Sequence, residues 1–314
     1  MADITCVGIL VADVVGKPIE SLPERGKMTL VERMELHTGG CAANTGAGLA
    51  ILGVETAVVG KVGDDGFGDF IIGRLQRYGI DTAGVARDRE AATSATMVCV
   101  DSSGERSFLH YVGANATLRL EDIDARCVLQ SKILHIAGSL VMPQFDGEPT
   151  GELLKQAKAA GLVTSLDTVW DARGLWMQKI APALPYTDYF LPSYEEAKEL
   201  ADGREDPDEI ARFLIDRGVE VVGLKLGDKG CYVRSADGDH FSIPALKVNA
   251  IDALGAGDSF VAGFLTGLVQ GWDREQCARF AVAVGSCCVQ ALGATTGIRS
   301  FEETLKVMES VSRR

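Results

Sequence analysis

The chain has 314 residues, 46% hydrophobic and 24% charged, with a formal net charge of −13 and a pI near 4.8. That length holds one large α/β domain or two modest ones. The acidity argues against nucleic acid or an anionic membrane surface as the main partner, although a helix end or a metal ion still admits an anionic small molecule.

The chain opens MADITCVGIL, with Asp3 and no basic stretch ahead of the apolar run, so it does not read as a secretory signal. No apolar run reaches membrane-spanning length, and a cytoplasmic location is expected. After the first strand, VGILVAD, residues 14–37 hold two prolines and then the alternating TLVERMEL. GGCAANTGAGLAILG (39–53) starts with two glycines and becomes a small-residue helix, whose composition fits close helix–sheet packing as well as it fits binding. ETAVVGKVG reads as a strand and FGDFIIGRLQRYGI as a helix ending at Gly79. Residues 94–113 read as a hairpin around Asp101-Ser102-Ser103-Gly104. Beyond it KILHIAG (strand), EPTGELLKQAKAAG (helix), LVTSLD (strand), DYFLP, SYEEAKELADG, DEIARFLIDRG, VEVVGLKLG and SFVAGFLTGLVQG continue a strand–helix alternation.

Such alternation predicts a doubly wound α/β fold, a mostly parallel sheet flanked by helices. The two segments that break it, 14–37 and 94–113, are expected to pair as a small β-sheet lid on a large domain of residues 1–13, 38–93 and 114–314. An edge extension of the main sheet is the alternative. The eight cysteines, at 6, 41, 99, 127, 231, 277, 287 and 288, show no CxxC or zinc spacing. Most lie in apolar runs, as small buried hydrophobes do in a reducing compartment.

Two glycine loops carry candidate chemistry. In DALGAGDSFVAGF (252–264), Gly255 and Gly257 would let a phosphate approach the backbone at a helix N-terminus. Asp258 there can cap the helix or accept a hydroxyl proton, and spacing alone leaves both open. In VVGLKLGDKGC (221–231), a strand runs into Gly227-Asp228-Lys229-Gly230, the kind of turn where ligands lie in open α/β sheets. Neither loop is a Walker A sequence, and no GxGxxG links an early strand to a helix.

Together the two blocks resemble the signatures of the ribokinase-like, PfkB-type carbohydrate kinases: GGCAANTGAGLAILG the N-terminal one and DALGAGDSFVAGF the C-terminal DTxGAGD. KVGDDGFGDF, LKLGDKG and LPSYEEAKEL resemble further motifs of the family at matching spacing, so the likeness spans nearly the whole chain. It implies a ribokinase-like fold and ATP-dependent phosphorylation of a small hydroxyl-bearing substrate, a sugar or nucleoside. It implies Asp258 as the base and the backbone of Gly255, Ala256 and Gly257 as the anion hole. Gly227 and Gly230 match the nucleotide loop, with Lys225 at its entrance as a phosphate neutraliser or a strand-end surface lysine. Asp13, Gly39, Gly40 and Asn44 match the substrate side, and Asn115 is a weaker candidate. Asp13 could equally be a turn residue, and Asn44 a helix polar group bonded to backbone.

The family's Asn-x-x-Glu stretch becomes Ser193-Tyr194-Glu195-Glu196 here. Glu196 keeps a carboxylate for Mg2+ through water, and S-x-x-E is also a helix capping box. Ala253 stands where Thr is common, and Val282 where some members are polar. Some members bind a monovalent cation such as K+ beneath the anion hole, and Asp252 with the loop Cys288–Gly293 could supply that site. KILHIAG is followed by Ser139-Leu140, without the glutamate of some pentose kinases, which disfavours a simple ribokinase. Trp170 is a candidate to stack on a sugar face, and Lys27, Arg33 and Arg106 in the lid leave a phosphosugar open. A sugar or sugar-derivative kinase leads; a nucleoside kinase of the same fold and a catalytically silent nucleotide-binding relative are the alternatives. The lid, with little core of its own, implies a homodimer formed through it.

Overall fold

A computed structural model describes residues 2–312; residues 1 and 313–314, the ends of the expected large domain, lie outside the described residues. In chain order the elements are β1 (Ile4–Gly8), β2 (Val11–Lys17), β3 (Arg33–Gly39), α1 (Cys41–Ile51), β4 (Thr56–Gly63), α2 (Gly66–Arg77) and β5 (Val85–Asp88). Then come β6 (Ala95–Val100), β7 (Arg106–Tyr111), α3 (Ala125–Val128), β8 (Ile133–Ser139), α4 (Glu148–Ala159), β9 (Val163–Thr168) and α5 (Trp176–Ile180). The rest are β10 (Tyr189–Phe190), α6 (Tyr194–Leu200), α7 (Pro207–Ile215), β11 (Val221–Lys225), β12 (Cys231–Ser235), β13 (His240–Ile243), α8 (Ala256–Val269), α9 (Arg274–Cys288) and α10 (Phe301–Ser312).

Nine strands form the main sheet in the order β13-β12-β11-β10-β9-β8-β1-β4-β5. From β11 to β5 every pairing is parallel, and at one edge β12 alone is reversed, pairing antiparallel with both β11 and β13. Each buried strand feeds both faces because successive side chains point opposite ways. Cys6 joins the core under α1, α2, α8 and α9, while its neighbour Val7 joins the core under α4, α6 and α7. The helices keep to local rules. Asp206 caps α7 by accepting from the amides of Asp208 and Glu209, with Pro207 at the first helical position, and Ile210, Ala211 and Leu214 form its buried face. The small residues of α1 serve packing: a Cβ on Gly46 would lie 2.7 Å from Val58 Cγ2, so the helix sits directly on β4.

A separate four-stranded sheet has the order β3-β2-β6-β7. The hairpin β6–β7 turns where the sequence places it, with Asp101 Oδ1 accepting from the amides of Ser103 and Glu105. The first strand is shorter than its apolar run suggests. It ends at Gly8, and Asp13 belongs to β2 of the small sheet rather than to the end of β1. The small sheet also takes in Val11 and extends through Gly39.

Register divides the small sheet into two faces. His37, Asp13, Thr96 and His110 are cross-strand neighbours in one row, so all four share a face. By alternation Phe108 and Arg106 of β7 share it too. The opposite row is Leu36, Val14, Met97 and Leu109, and this face is apolar and open: Leu109 and Tyr111 are 55% and 53% exposed.

Candidate active site

The signature loop enters α8 through Gly255, which caps the helix with no side-chain bond. Its φ of 73° is left-handed, and a Cβ there would lie 2.3 Å from the Ala294 carbonyl oxygen, so both backbone and space demand glycine. Asp258 sits inside the first turn of α8, and its carboxylate is not the cap. It accepts a 2.8 Å hydrogen bond from Asn44 Nδ2 on α1, and Cys41, the first residue of α1, donates its thiol to the same carboxylate. The two signature blocks, more than two hundred residues apart, therefore meet at one carboxylate. Burial raises the Asp258 carboxyl above its ordinary range, the Asn44 bond, the Lys225 charge and the Cys41 bond pull it back, and the Glu196 charge raises it further. Asn44 Oδ1 is buried and has no partner among the described residues.

Beside Asp258 the carboxyl ends of β9 and β11 present Asp167 and Lys225. Lys225 Nζ donates to both oxygens of Asp167 at 2.8 Å, with Lys225 12% and Asp167 3% exposed. Lys225 is therefore a buried ion-pair partner and not a surface lysine. Burial alone would lower its pKa, but the Asp167 and Glu196 carboxylates outweigh burial and raise it. Burial pushes the Asp167 carboxyl up, and Lys225 opposes that push. The ammonium also borders the glycine loop: a Cβ on Gly257 would lie 3.4 Å from Lys225 Nζ.

Glu196 forms the expected capping box with Ser193, accepting from the Ser193 amide at 3.1 Å, and the same Oε2 accepts from Thr168 Oγ1 at 3.0 Å. Asp167, Glu196 and Asp258 thus surround one ammonium and leave an excess of negative charge, which suits a hard divalent cation. No group of three potential ligands among the described residues is placed to grip a metal directly.

On the substrate side, Asp13 packs over Gly39, where a Cβ would lie 2.0 Å from its Oδ2. Gly39 leads through Gly40, the cap of α1, to Asn44, so β3 of the small sheet runs directly into the helix that carries the Asp258 partner. Burial raises the Asp13 carboxyl, and the Thr96 hydrogen bond and the neighbouring His110 and His37 oppose that. Asn115 has backbone partners. Its Oδ1 accepts from the Leu10 amide and its Nδ2 donates to the Leu10 carbonyl, so the amide pins the β1–β2 connection. Gly227 and Gly230 lie in the turn between β11 and the antiparallel β12. Gly230 has a φ of 97° with the Ile243 carbonyl 1.9 Å from where a Cβ would be, so the turn itself requires it. Trp170 is 55% exposed and packs edge-on against Trp176 at 5.0 Å.

Asp252 departs from expectation. Its Oδ1 accepts from the Leu254 amide and from Arg106 Nη1 at 2.7 Å, and its Oδ2 accepts from the Gly293 amide. Three donors engage the carboxylate, one of them a guanidinium that already supplies the positive charge a monovalent cation would bring, and the residues present do not fit such a cation there. Sequence reasoning also passed over three neighbours of the site: Asp167 as the partner of Lys225, Cys41 and Thr168. A carboxylate closing a buried parallel strand was the available signal for Asp167. Nothing in the sequence pairs Cys41 with Asp258 or Arg106 with Asp252.

The model of the pfkB family carbohydrate kinases matches residues 1–300, and the chain belongs to that family of sugar phosphotransferases. An uncharacterized sugar kinase of Archaeoglobus fulgidus is 32% identical over 259 residues, covering 80% of this chain and 98% of its own. The 5-dehydro-2-deoxygluconokinase of Geobacillus kaustophilus is 30% identical, covering 92% and 88%. Among solved structures, Arabidopsis thaliana ribokinase complexed with ribose and ATP superposes with a TM-score of 0.84 at 25% identity, covering 98% of this chain and 99% of its own. Fructokinase with bound ATP from Xylella fastidiosa gives 0.85 at 26%, covering 99% and 100%. The fold is ribokinase-like. No helix among the described residues is long and apolar enough to cross a membrane.

Proposed function

We propose that the protein transfers the γ-phosphoryl group of ATP to a hydroxyl of a sugar or sugar derivative, with Asp258 as the base. The observation that carries this reading is the Asn44–Asp258 bond at the start of α8, which sets a carboxylate beside backbone amides suited to an anion. In the reaction the substrate oxygen attacks the γ-phosphorus as its proton passes to Asp258. The bond from phosphorus to the β-phosphate oxygen breaks, and ADP leaves. The amides of Gly255, Ala256 and Gly257 would meet the charge on the moving phosphoryl group. Such transfer depends mainly on positioning and electrostatics. Lys225 lies close enough to the loop to add positive charge there. Mg2+, when bound with ATP, would neutralise phosphate charge, and Glu196 is the residue to hold it, through water.

The polar row His37, Asp13, Thr96 and His110 faces the substrate side. It offers several hydrogen-bonding groups to a polyhydroxylated ligand, which favours a sugar. ATP complexes among similarly folded relatives support the nucleotide. The test is Asp258→Asn assayed for ATP turnover over a panel of sugars, sugar acids and nucleosides. Wild type is expected to turn over a sugar-class member, and the variant to lose about 10²- to 10⁴-fold in kcat. Full activity in the variant removes Asp258 from the role of base. Turnover confined to nucleosides removes the sugar, and no turnover of any member leaves the silent relative.

A further inference from the structure

Arg106 opens β7 on the face of the small sheet that carries Asp13 and His110, and its guanidinium reaches the signature loop of the large domain. Nη1 lies 2.7 Å from Asp252 Oδ1, with the two side chains 22% and 2% exposed. The same carboxylate takes the Leu254 amide at 2.9 Å and the Gly293 amide at 2.7 Å, so both oxygens are engaged. Behind it the Cys288 thiol lies 3.6 and 3.2 Å from the backbone carbonyl oxygens of Leu254 and Ala294, and its single proton serves one of them at a time. The Asp252 carboxylate, from which a cation site in this loop would be built, thus already faces three donors, one of them charged. An extra monovalent cation beside Asp252 would sit next to a fixed guanidinium, and the two positive charges would repel.

Asp252 precedes the glycine cap of α8 by only three residues. A bare carboxylate there would oppose an anion arriving at the amides of residues 255–257. The counter-charge therefore has a use, and the chain carries it on an arginine at the end of the 101–105 turn.

We infer that Arg106 is the built-in replacement for a monovalent cation at the signature loop, neutralising Asp252 from the small sheet so that the loop needs no K+. Arg106 is a positioning residue: it acts through Asp252 on the anion-binding backbone. Its benefit to phosphoryl transfer rests on the proposed kinase activity, whereas its exclusion of a cation does not.

The test therefore reads cation binding first. Wild type, Arg106→Lys, Arg106→Gln and Arg106→Gln/Asp252→Asn are titrated with Tl+, a spectroscopic stand-in for K+, by thallium NMR. Their Tm is measured in KCl and in tetramethylammonium chloride at equal ionic strength. Wild type and Arg106→Lys are expected to bind no Tl+ and to show the same Tm in both salts. Arg106→Gln is expected to bind Tl+ and to gain several degrees in KCl, and the double variant to lose both. Specific Tl+ binding by wild type overturns the inference, and so does an Arg106→Gln protein that folds but takes up none. With a turned-over substrate in hand, K+ should raise kcat of Arg106→Gln tenfold or more and that of wild type less than twofold. If the kinase reading fails, the binding measurements still decide the inference.

Discussion

Replacing Lys225 by Met keeps most of the side-chain volume and removes the ammonium that holds Asp167. Asp167 is 3% exposed and would then face burial and the Glu196 charge, with the Thr168 amide as its remaining bond at 2.8 Å. A carboxyl so placed escapes the cost of a bare buried charge by keeping its proton. In wild type burial already raises the Asp167 carboxyl to about 7, and Lys225 is what keeps it from going higher. Below that pH both folded proteins carry a proton that the unfolded state releases above about pH 4, so the difference between them is flat. Above it wild-type Asp167 ionises against the ammonium while the variant keeps its proton. The variant then falls behind by roughly 1.4 kcal/mol per pH unit, about 3 kcal/mol by about pH 9, within the roughly 3–5 kcal/mol lost when one partner of a buried pair is removed. Urea denaturation of both proteins at pH 6 and pH 9 measures this difference, and Lys225→Met/Asp167→Asn should abolish its pH dependence. An equal loss at both pH values would refute the reasoning, because it would mean that Asp167 is not a buried charge awaiting a partner.

The Asp258 carboxyl, raised by burial, must be ionised to accept a proton, so kcat/KM should fall on acidification at a pH above the ordinary carboxylate pKa of about 3.9. Asn44→Ala removes a bond that favours the ionised form and should move that acid limb to higher pH; an unmoved limb or one moved lower breaks the link between the two residues. The exposed apolar row of the small sheet is expected to pair with a second copy of the chain. Light scattering should then find a dimer for wild type and a monomer for Leu109→Glu, and a wild-type monomer sinks this expectation.

Much of the architecture was legible because it follows from local periodicity. Apolar strands alternating with amphipathic helices admit few arrangements other than a parallel sheet covered on both faces. The two segments that broke the alternation, at 14–37 and 94–113, supply most of the second sheet. Boundaries were less legible. ITCVGILVAD is apolar throughout, and nothing within it marks Gly8 as the end of β1 or assigns Asp13 to another sheet.

The candidate site divides along the same line. By itself the sequence determined the glycine loops, since a left-handed Gly255 and a tight turn at Gly230 are demands of the local backbone. It also determined the Ser193–Glu196 box, whose partners are three residues apart. Whether Asp258 caps its helix or faces a neighbour was open from spacing and was decided by Asn44, 214 residues away. The tertiary structure likewise turned Lys225 inward onto Asp167, bound Asn115 to the Leu10 backbone, and brought Arg106 to Asp252. Each of these joins side chains from separate strands and loops. Periodicity and capping act within a few residues of one another, whereas the partner of a buried charge is set by which strand ends the sheet order places side by side.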